Sequence, residues 1–461
     1  MKKMVAAGSL GLLVACGGVD GSPGDRATQA PTAAAAAPAA GATGATGAAG
    51  ATGARPSAYD GEGFVVHEWG TDTLVVGSDG SLQIGLHHEE EDLPPFVEDR
   101  MKAGARAGSV EVKMETPVTY FYSDRPRTVQ ARVRFPRGVF TQWFPRVEAM
   151  SPKLLRVGPE SAPLIDPIFG GFEFQSDRCR ALYGEATGGL LDWGTIEILP
   201  REATPSAVTR MPAAPLEKTT WGFARDVASN AVRTPQGDVE QFLFYRGLGS
   251  FEPPVKITAE AGGGVKLASS FGEAMGAVFV IDVAETGGAF REEPGVAARG
   301  ELATRAPSVS AREPLAVYEQ KLGERVARAL EGVGLFHDEA AGMVNTWKRQ
   351  WFRTPGTRVL YLLPQSWTDQ SIPLEIVPAP DRSRRVMLMR VELITPEVEQ
   401  ADVALARALA TEPAAVSAFL RMGRFGEPRL RRALSLLGQP AYGQAALATV
   451  ARPGLLSVAR E

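Results

Sequence analysis

A chain of 461 residues, 44% hydrophobic and 22% charged, exceeds what one hydrophobic core usually serves, and this composition excludes both a polytopic membrane protein and a largely disordered one. A formal charge of −4 and a pI near 5.8 supply no global basic field, which excludes nucleic acid as the main partner.

In chain order the first element is a leader. Met1-Lys2-Lys3 gives a positive start and residues 5–15 a short apolar run closing on small residues, the pattern of a secretory signal. The run is too short to span a bilayer. Its end, Leu13-Val14-Ala15-Cys16, resembles the lipobox of bacterial lipoproteins. That resemblance implies cleavage before Cys16, lipidation of Cys16 with palmitate-type acyl chains, and, with Gly17 following it, anchoring at the outer membrane. Loss of residues 1–15 would remove Lys2 and Lys3 and no acid, taking the charge from −4 to −6.

Residues 17–57 are nearly all Ala, Gly, Thr and Pro, with too little apolar bulk to offset the entropy of ordering them, and read as a disordered tether. Glycine recurs there every third residue from Gly41 to Gly53, but five triplets without internal proline do not make a collagen helix. A random coil of 41 residues spans about 35 Å, enough to hold a folded body clear of lipid headgroups.

The body opens with a strand at 64–69, followed by a hairpin in which 73–76, a Gly77-Ser78-Asp79-Gly80 turn and 81–86 form the two arms. Further strands are predicted at 110–114, 118–122, 128–135 and 139–144. In the third of these Val129, Ala131, Val133 and Phe135 alternate with Gln130, Arg132 and Arg134, the mark of one wet and one buried face. Strands at 190–199, 239–245 and 277–283 follow, and residues 285–313, rich in Gly, Pro and charge, read as a connection. Apolar residues at helical spacing then predict helices at 317–333 and 338–352, with strands at 358–363, 374–377 and 386–394. Thr395-Pro396 caps a helix to 410, and helical pieces at 414–422 and 428–437 end the chain. The fold class is α+β: β-rich, sandwich-like regions at 58–150 and 151–313, then a region at 314–461 combining a helical pair, a short sheet and C-terminal helices.

Several phrases read as a set: His67-Glu68-Trp69-Gly70-Thr71, Glu115-Thr116-Pro117-Val118 with Tyr120-Phe121-Tyr122, Phe242-Leu243-Phe244-Tyr245-Arg246-Gly247, and Asn345-Thr346-Trp347 with Trp351-Phe352. Together they resemble an uncharacterised group of exported bacterial proteins over most of residues 63–430. The resemblance implies shared architecture and carries no activity with it.

Candidate chemistry centres on four histidines. His67, His87 and His88 lie close in sequence to Glu68 and to the acidic run 89–92, the ligand types of a metal site, whereas His337 stands apart. Adjacent His87 and His88 point to opposite faces on a continuing strand, so only one would join His67. The bland reading makes His67 a strand residue beside Trp69 and the acidic run a solvated loop. Glu68, Glu115 and Glu197 sit in or beside apolar strands, where desolvation would raise a carboxyl pKa and make a general acid; the bland reading pairs them with arginines such as Arg132 or Arg246.

Trp69 and Trp143 are candidate ligand-stacking rings, Trp143 as the exposed one, while Trp347 and Trp351, four apart, read as a core ridge. The basic stretch 382–385 reads as a solvated hairpin tip. With Cys16 acylated, Cys179 has no disulfide partner and reads as a small buried hydrophobe rather than a nucleophile. No nucleophile elbow, His-Glu-x-x-His, phosphate-binding loop or dinucleotide fingerprint occurs. The expectation is a membrane-anchored envelope lipoprotein acting as a binding or scaffold module for an envelope protein or glycan, without a cofactor. The alternative is a hydrolase using His67 and Glu68, with or without a divalent metal.

Overall fold

The computed structural model describes residues 58–86, 93–100, 112–151, 188–204, 208, 220–249, 251–412 and 414–450. The leader, Cys16, the tether, His87, His88, the acidic run and Cys179 lie outside them.

The described residues open on β1 (Phe64–Val76), then run through β2 (Glu98–Asp99), β3 (Val112–Ser123), β4 (Arg127–Phe135), β5 (Gly138–Phe144), β6 (Ala149–Ser151) and β7 (Gly189–Ile198). Helix α1 (Thr220–Arg225) precedes β8 (Val232–Arg233), β9 (Val239–Glu240), β10 (Phe242–Gly249), β11 (Val255–Glu260), β12 (Gly264–Ser269), β13 (Val278–Ala284), β14 (Gly287–Glu293), β15 (Glu301–Arg305) and β16 (Glu313–Pro314). The helical pair α2 (Leu315–Gly332) and α3 (His337–Arg353) follows, then β17 (Gly356–Leu362), α4 (Gln365–Ser371), β18 (Leu374–Val377) and β19 (Arg382–Leu393). Four helices close the described residues: α5 (Pro396–Ala408), α6 (Ala414–Arg421), α7 (Gly426–Leu436) and α8 (Gly443–Val450).

Ten strands form one sheet in the order β16-β14-β13-β17-β19-β1-β3-β10-β5-β2. All its neighbours are antiparallel except the central pair, β1 and β19, which run parallel from Val65↔Arg382 to Val76↔Leu393. The sheet draws strands from each of the regions 58–150, 151–313 and 314–461, so the three share one hydrogen-bonded layer.

Alternation along β1 divides the core. Val66, Leu74 and Val76 join Met387 and Met389 against residues of the six-stranded sheet (Val133, Trp193) and the three-stranded sheet (Ile257, Leu267). Val65 and Trp69 join Leu388 against the helical pair, at Leu322, Met343 and Trp351. The result is three layers: small sheets, the ten-stranded sheet, helices. The α+β class and the sandwich-like packing of β-rich regions are therefore both present, with a helical layer on the second face. The four C-terminal helices hold a separate apolar cluster around Phe419, Leu430 and Leu434.

Several elements differ from the sequence reading. β1 runs unbroken to Val76, and beyond the turn the chain returns only through a Val76↔Leu82 bridge, so no hairpin strand forms at 81–86. The described part of 110–114 and the strand at 118–122 fuse into β3, with Thr116 at φ 53° marking a bulge opposite Gly70, between the paired Trp69 and Thr71. Residues 285–313 are not a plain connection but hold β14 and β15. Gly287 and Gly288 hid β14, yet Gly288 is required where it stands, because a Cβ there would lie 2.7 Å from the Tyr318 ring. The stretch 382–385 is the first turnless part of β19, not a hairpin tip. The Thr395 cap holds as expected, its Oγ1 accepting from the Val398 amide at 3.4 Å.

Candidate functional site

His67 lies on the helical face. Its Nδ1 is 2.8 Å from Glu339 Oε2, the same oxygen accepts the Phe336 amide at 2.7 Å, and Tyr122 donates its hydroxyl to Oε1 at 2.7 Å. Glu339 is fully buried in the first turn of α3. Burial, with Glu339 beside it, pushes the Tyr122 hydroxyl well above its ordinary range. The His67 ring packs on Phe336 with centroids 4.4 Å apart. This is a docking contact between α3 and the sheet. His67→Ala removes a partner of a buried carboxylate and is expected to lower unfolding free energy by about 1–3 kcal/mol in urea denaturation.

Glu68 lies on the opposite face. Its Oε1 accepts from Thr119 Oγ1 at 2.8 Å and from the Tyr245 hydroxyl at 2.5 Å, and its Oε2 accepts from Arg385 Nε at 2.7 Å. Arg385 also reaches Asp369 at 2.9 Å. Burial alone would lower the arginine's pKa, but Glu68, Tyr245 and Asp369 outweigh it and hold the guanidinium charged. The partner is thus neither Arg132, which meets Asp192 and Glu375, nor Arg246, but an arginine of the stretch read as a solvated tip. Because adjacent strand residues point to opposite faces, His67 and Glu68 do not meet at one centre.

Glu115 bonds Thr73 Oγ1 at 3.1 Å, in phase with His67 along β1, and pairs with Arg424. Burial would raise its pKa, but Arg424, Lys113 and Arg390 outweigh that and hold it down at about 2. It does not face Glu68, so no carboxylate pair of the glycosidase kind is assembled from these two. Glu197 is exposed and pairs with Arg233 at 3.0 Å. His337 is also exposed, 2.6 Å from Glu331. Among the described residues no three His, Cys, Asp or Glu side chains gather in a group that would hold a metal ion.

The tryptophans divide similarly. Trp69 is wholly buried on the helical face, 6.1 Å from the Tyr120 ring, and is no stacking platform. Trp143, expected as an exposed ring, is only 4% exposed, because the Arg100 guanidinium covers it at 4.9 Å; its edge lines a cleft of about 280 Å³ with Glu98, Arg146 and Glu148. Trp347 and Trp351 are the core ridge expected, stacked at 6.2 Å and 16°.

A second opening lies at the carboxyl ends of the parallel pair. A cavity of about 400 Å³ is bounded there by Val75, Leu393 and Ile394 of the strand ends and by Val398, Met422 and Phe425 of the helical cap. Glu392, 8% exposed, enters its wall. Its Oε1 accepts from Arg358 Nε at 2.9 Å and from Arg390 Nε at 2.7 Å. Burial would raise the carboxyl, but these two guanidinium groups hold it below its ordinary value. Arg421 lines the same space, exposed and without an ion pair among the described residues; Arg429, also lining it, is held by Asp402 at 2.7 Å. Sequence reasoning passed over this site. Its signal was legible: Arg390 and Glu392 interrupt the apolar run 386–394 on one face, where charge carries a desolvation cost unless paired.

Fold and cavity define an α+β protein of three layers with a small-molecule-sized opening at a sheet end. No family model matches the chain, and no curated protein matches it. Among solved structures it is similar to the yeast delta-COP-I mu-homology domain complexed with a Dsl1 WxWxV peptide, at 8% identity and a TM-score of 0.23, over 72% of this chain and 96% of that one. The same yeast domain without peptide gives 9% identity with the same TM-score and coverage. A TM-score at this level defines no common fold.

Proposed function

We propose that this chain is a bacterial lipoprotein, acylated at Cys16 and held at the outer membrane, whose body is a binding or scaffold module of the cell envelope. The observation that carries the reading is the ordered series Lys2-Lys3, apolar run, Leu13-Val14-Ala15-Cys16, then a spacer of low apolar content. Two acyl chains on one residue supply the affinity that a single chain does not, so no spanning helix is required. Among the described residues no helix is long and apolar enough to cross a membrane. Binding rather than hydrolysis is favoured because His67, Glu68 and Glu115 are each spent on internal partners and do not converge. An envelope protein or glycan is the expected class of partner.

The test is Cys16→Ser. The wild type is expected to fractionate with envelope lipid and to yield an acylated N-terminal cysteine peptide by mass spectrometry, whereas the variant loses the acyl mass and moves to the soluble fraction. A wild-type N-terminus that is unmodified, or a Cys16→Ser chain that still partitions with lipid, overturns the reading.

A further inference from the structure

We propose that the cavity at the carboxyl ends of β1 and β19 binds a small apolar-bodied carboxylate carrying a hydroxyl group; this rests on the reading of the body as a binding module. At about 400 Å³ the space falls in the range of small-molecule sites. Its walls at Val75, Leu393, Val398 and Phe425 select an apolar body.

The polar groups select the head. Glu392 holds Arg358 and Arg390 through Oε1, which leaves Oε2 available to accept an O–H or N–H from a ligand. An ammonium is the poorer donor there, because it would sit beside two guanidinium groups already sharing one carboxylate. A hydroxyl gives the same hydrogen bond without the like-charge cost. Arg421, at the same wall and without an ion pair among the described residues, supplies the charge for the carboxylate. Arg429 is committed to Asp402 and adds positional support only. The recognition is therefore threefold: apolar wall, neutral donor to Glu392, anion to Arg421.

The experiment uses the detergent-solubilised mature protein with 3-phenyllactate, 3-phenylpropanoate and phenylalanine as probes, read by calorimetry and by thermal shift. Phenyllactate is expected to bind saturably, phenylpropanoate about tenfold more weakly for want of the hydroxyl, and phenylalanine more weakly still. Arg421→Gln, an exposed substitution that leaves the fold intact, is expected to weaken phenyllactate about tenfold. Val398→Trp, which fills the cavity from its rim, is expected to abolish binding, and its unliganded melting temperature shows that the fold persists. The proposal is overturned if phenyllactate does not saturate, if phenylalanine binds as well as phenyllactate, or if neither variant changes its affinity. Failure of phenyllactate alongside saturable binding of an envelope glycan or peptide sinks this ligand class and leaves the binding-module reading standing; silence from every probe sinks both.

Discussion

Asp72→Asn is expected to gain stability over the wild type steadily as pH rises from about 4 to about 8, by about 1.4 kcal/mol per pH unit and on the order of 5 kcal/mol in all. Asp72 is fully buried in β1, and neither carboxyl oxygen has a hydrogen-bond partner. Its register neighbours are Met114 on β3 and Met389 on β19, which offer no donor. Burial, and secondarily the Glu115 charge, push its pKa up to about 8. The titratable group level with it beyond β19 is Tyr361, itself pushed upward by burial and by Asp72 and equally without a hydrogen-bond partner.

A carboxyl whose folded pKa lies above its unfolded value contributes stability in full below the unfolded pKa. That contribution drains away while the unfolded chain ionises and the folded one does not, and it is spent once pH passes the folded pKa. The amide of Asn does not titrate, so the difference between the two proteins isolates this one group; a constant offset from the amide's own unmet donors shifts the curve without changing its slope. Urea midpoints at five pH values, converted with a common m-value, give that slope. Parallel wild-type and variant profiles would mean that Asp72 is ionised in the folded state, with a counter-charge close to it.

The contrast between what the sequence announced and what it concealed is one of range. Alternation in β4, the Trp347 and Trp351 ridge of α3 and the Thr395 cap are local patterns, set by the periods of strand and helix, and the fold uses each as read. The pairing of β1 with β19 is not local. Glu68 and Arg385 stand 317 residues apart, and nothing in either segment names the other. Read alone, four polar residues at 382–385 look like a surface tip; only the neighbouring strand turns Arg385 into a buried counter-ion.

The divergence of His67 from Glu68 was different in kind, because consecutive residues of one strand must point apart and the rule needed no partner to apply. Met387 and Met389 on β19 illustrate the remaining limit: their apolar character predicted burial but not that the layer over them would be a second sheet. The cavity at the sheet end is legible only through the charges that interrupt an apolar strand.

Arg424→Ala is expected to cost about 3–5 kcal/mol, because it removes the closest guanidinium from a carboxyl that is 2% exposed and leaves Lys113 and Arg390 alone to offset its charge. The pH dependence has the sign opposite to that of Asp72. Glu115 has a folded pKa depressed to about 2 from 4.5, so its contribution is present above the unfolded value and is lost as pH falls through the folded one. In the variant that acid-side loss shrinks, since the carboxyl no longer gains as much from being charged.

The location of the damage tests the architecture as well as the pair. Arg424 belongs to the turn Gly423–Phe425 between α6 and α7, and 309 residues separate it from Glu115, so this contact fastens the C-terminal helices to the end of the central strands. Those helices keep an apolar cluster of their own around Phe419 and Leu430, and α2 and α3 pack elsewhere, against Trp69 and Leu388. Hydrogen exchange is therefore expected to quicken in α6 and α7 of Arg424→Ala while α2 and α3 keep their protection. Replacing both partners, as Glu115→Leu with Arg424→Met, should recover part of the lost stability, because the exchanged pair no longer carries its desolvation cost while the buried Lys113 loses the Glu115 charge 3.9 Å away. Equal acceleration of exchange in all helices, or a double variant as unstable as the single one, would show that the ion pair does more than hold the helical cap to the sheet.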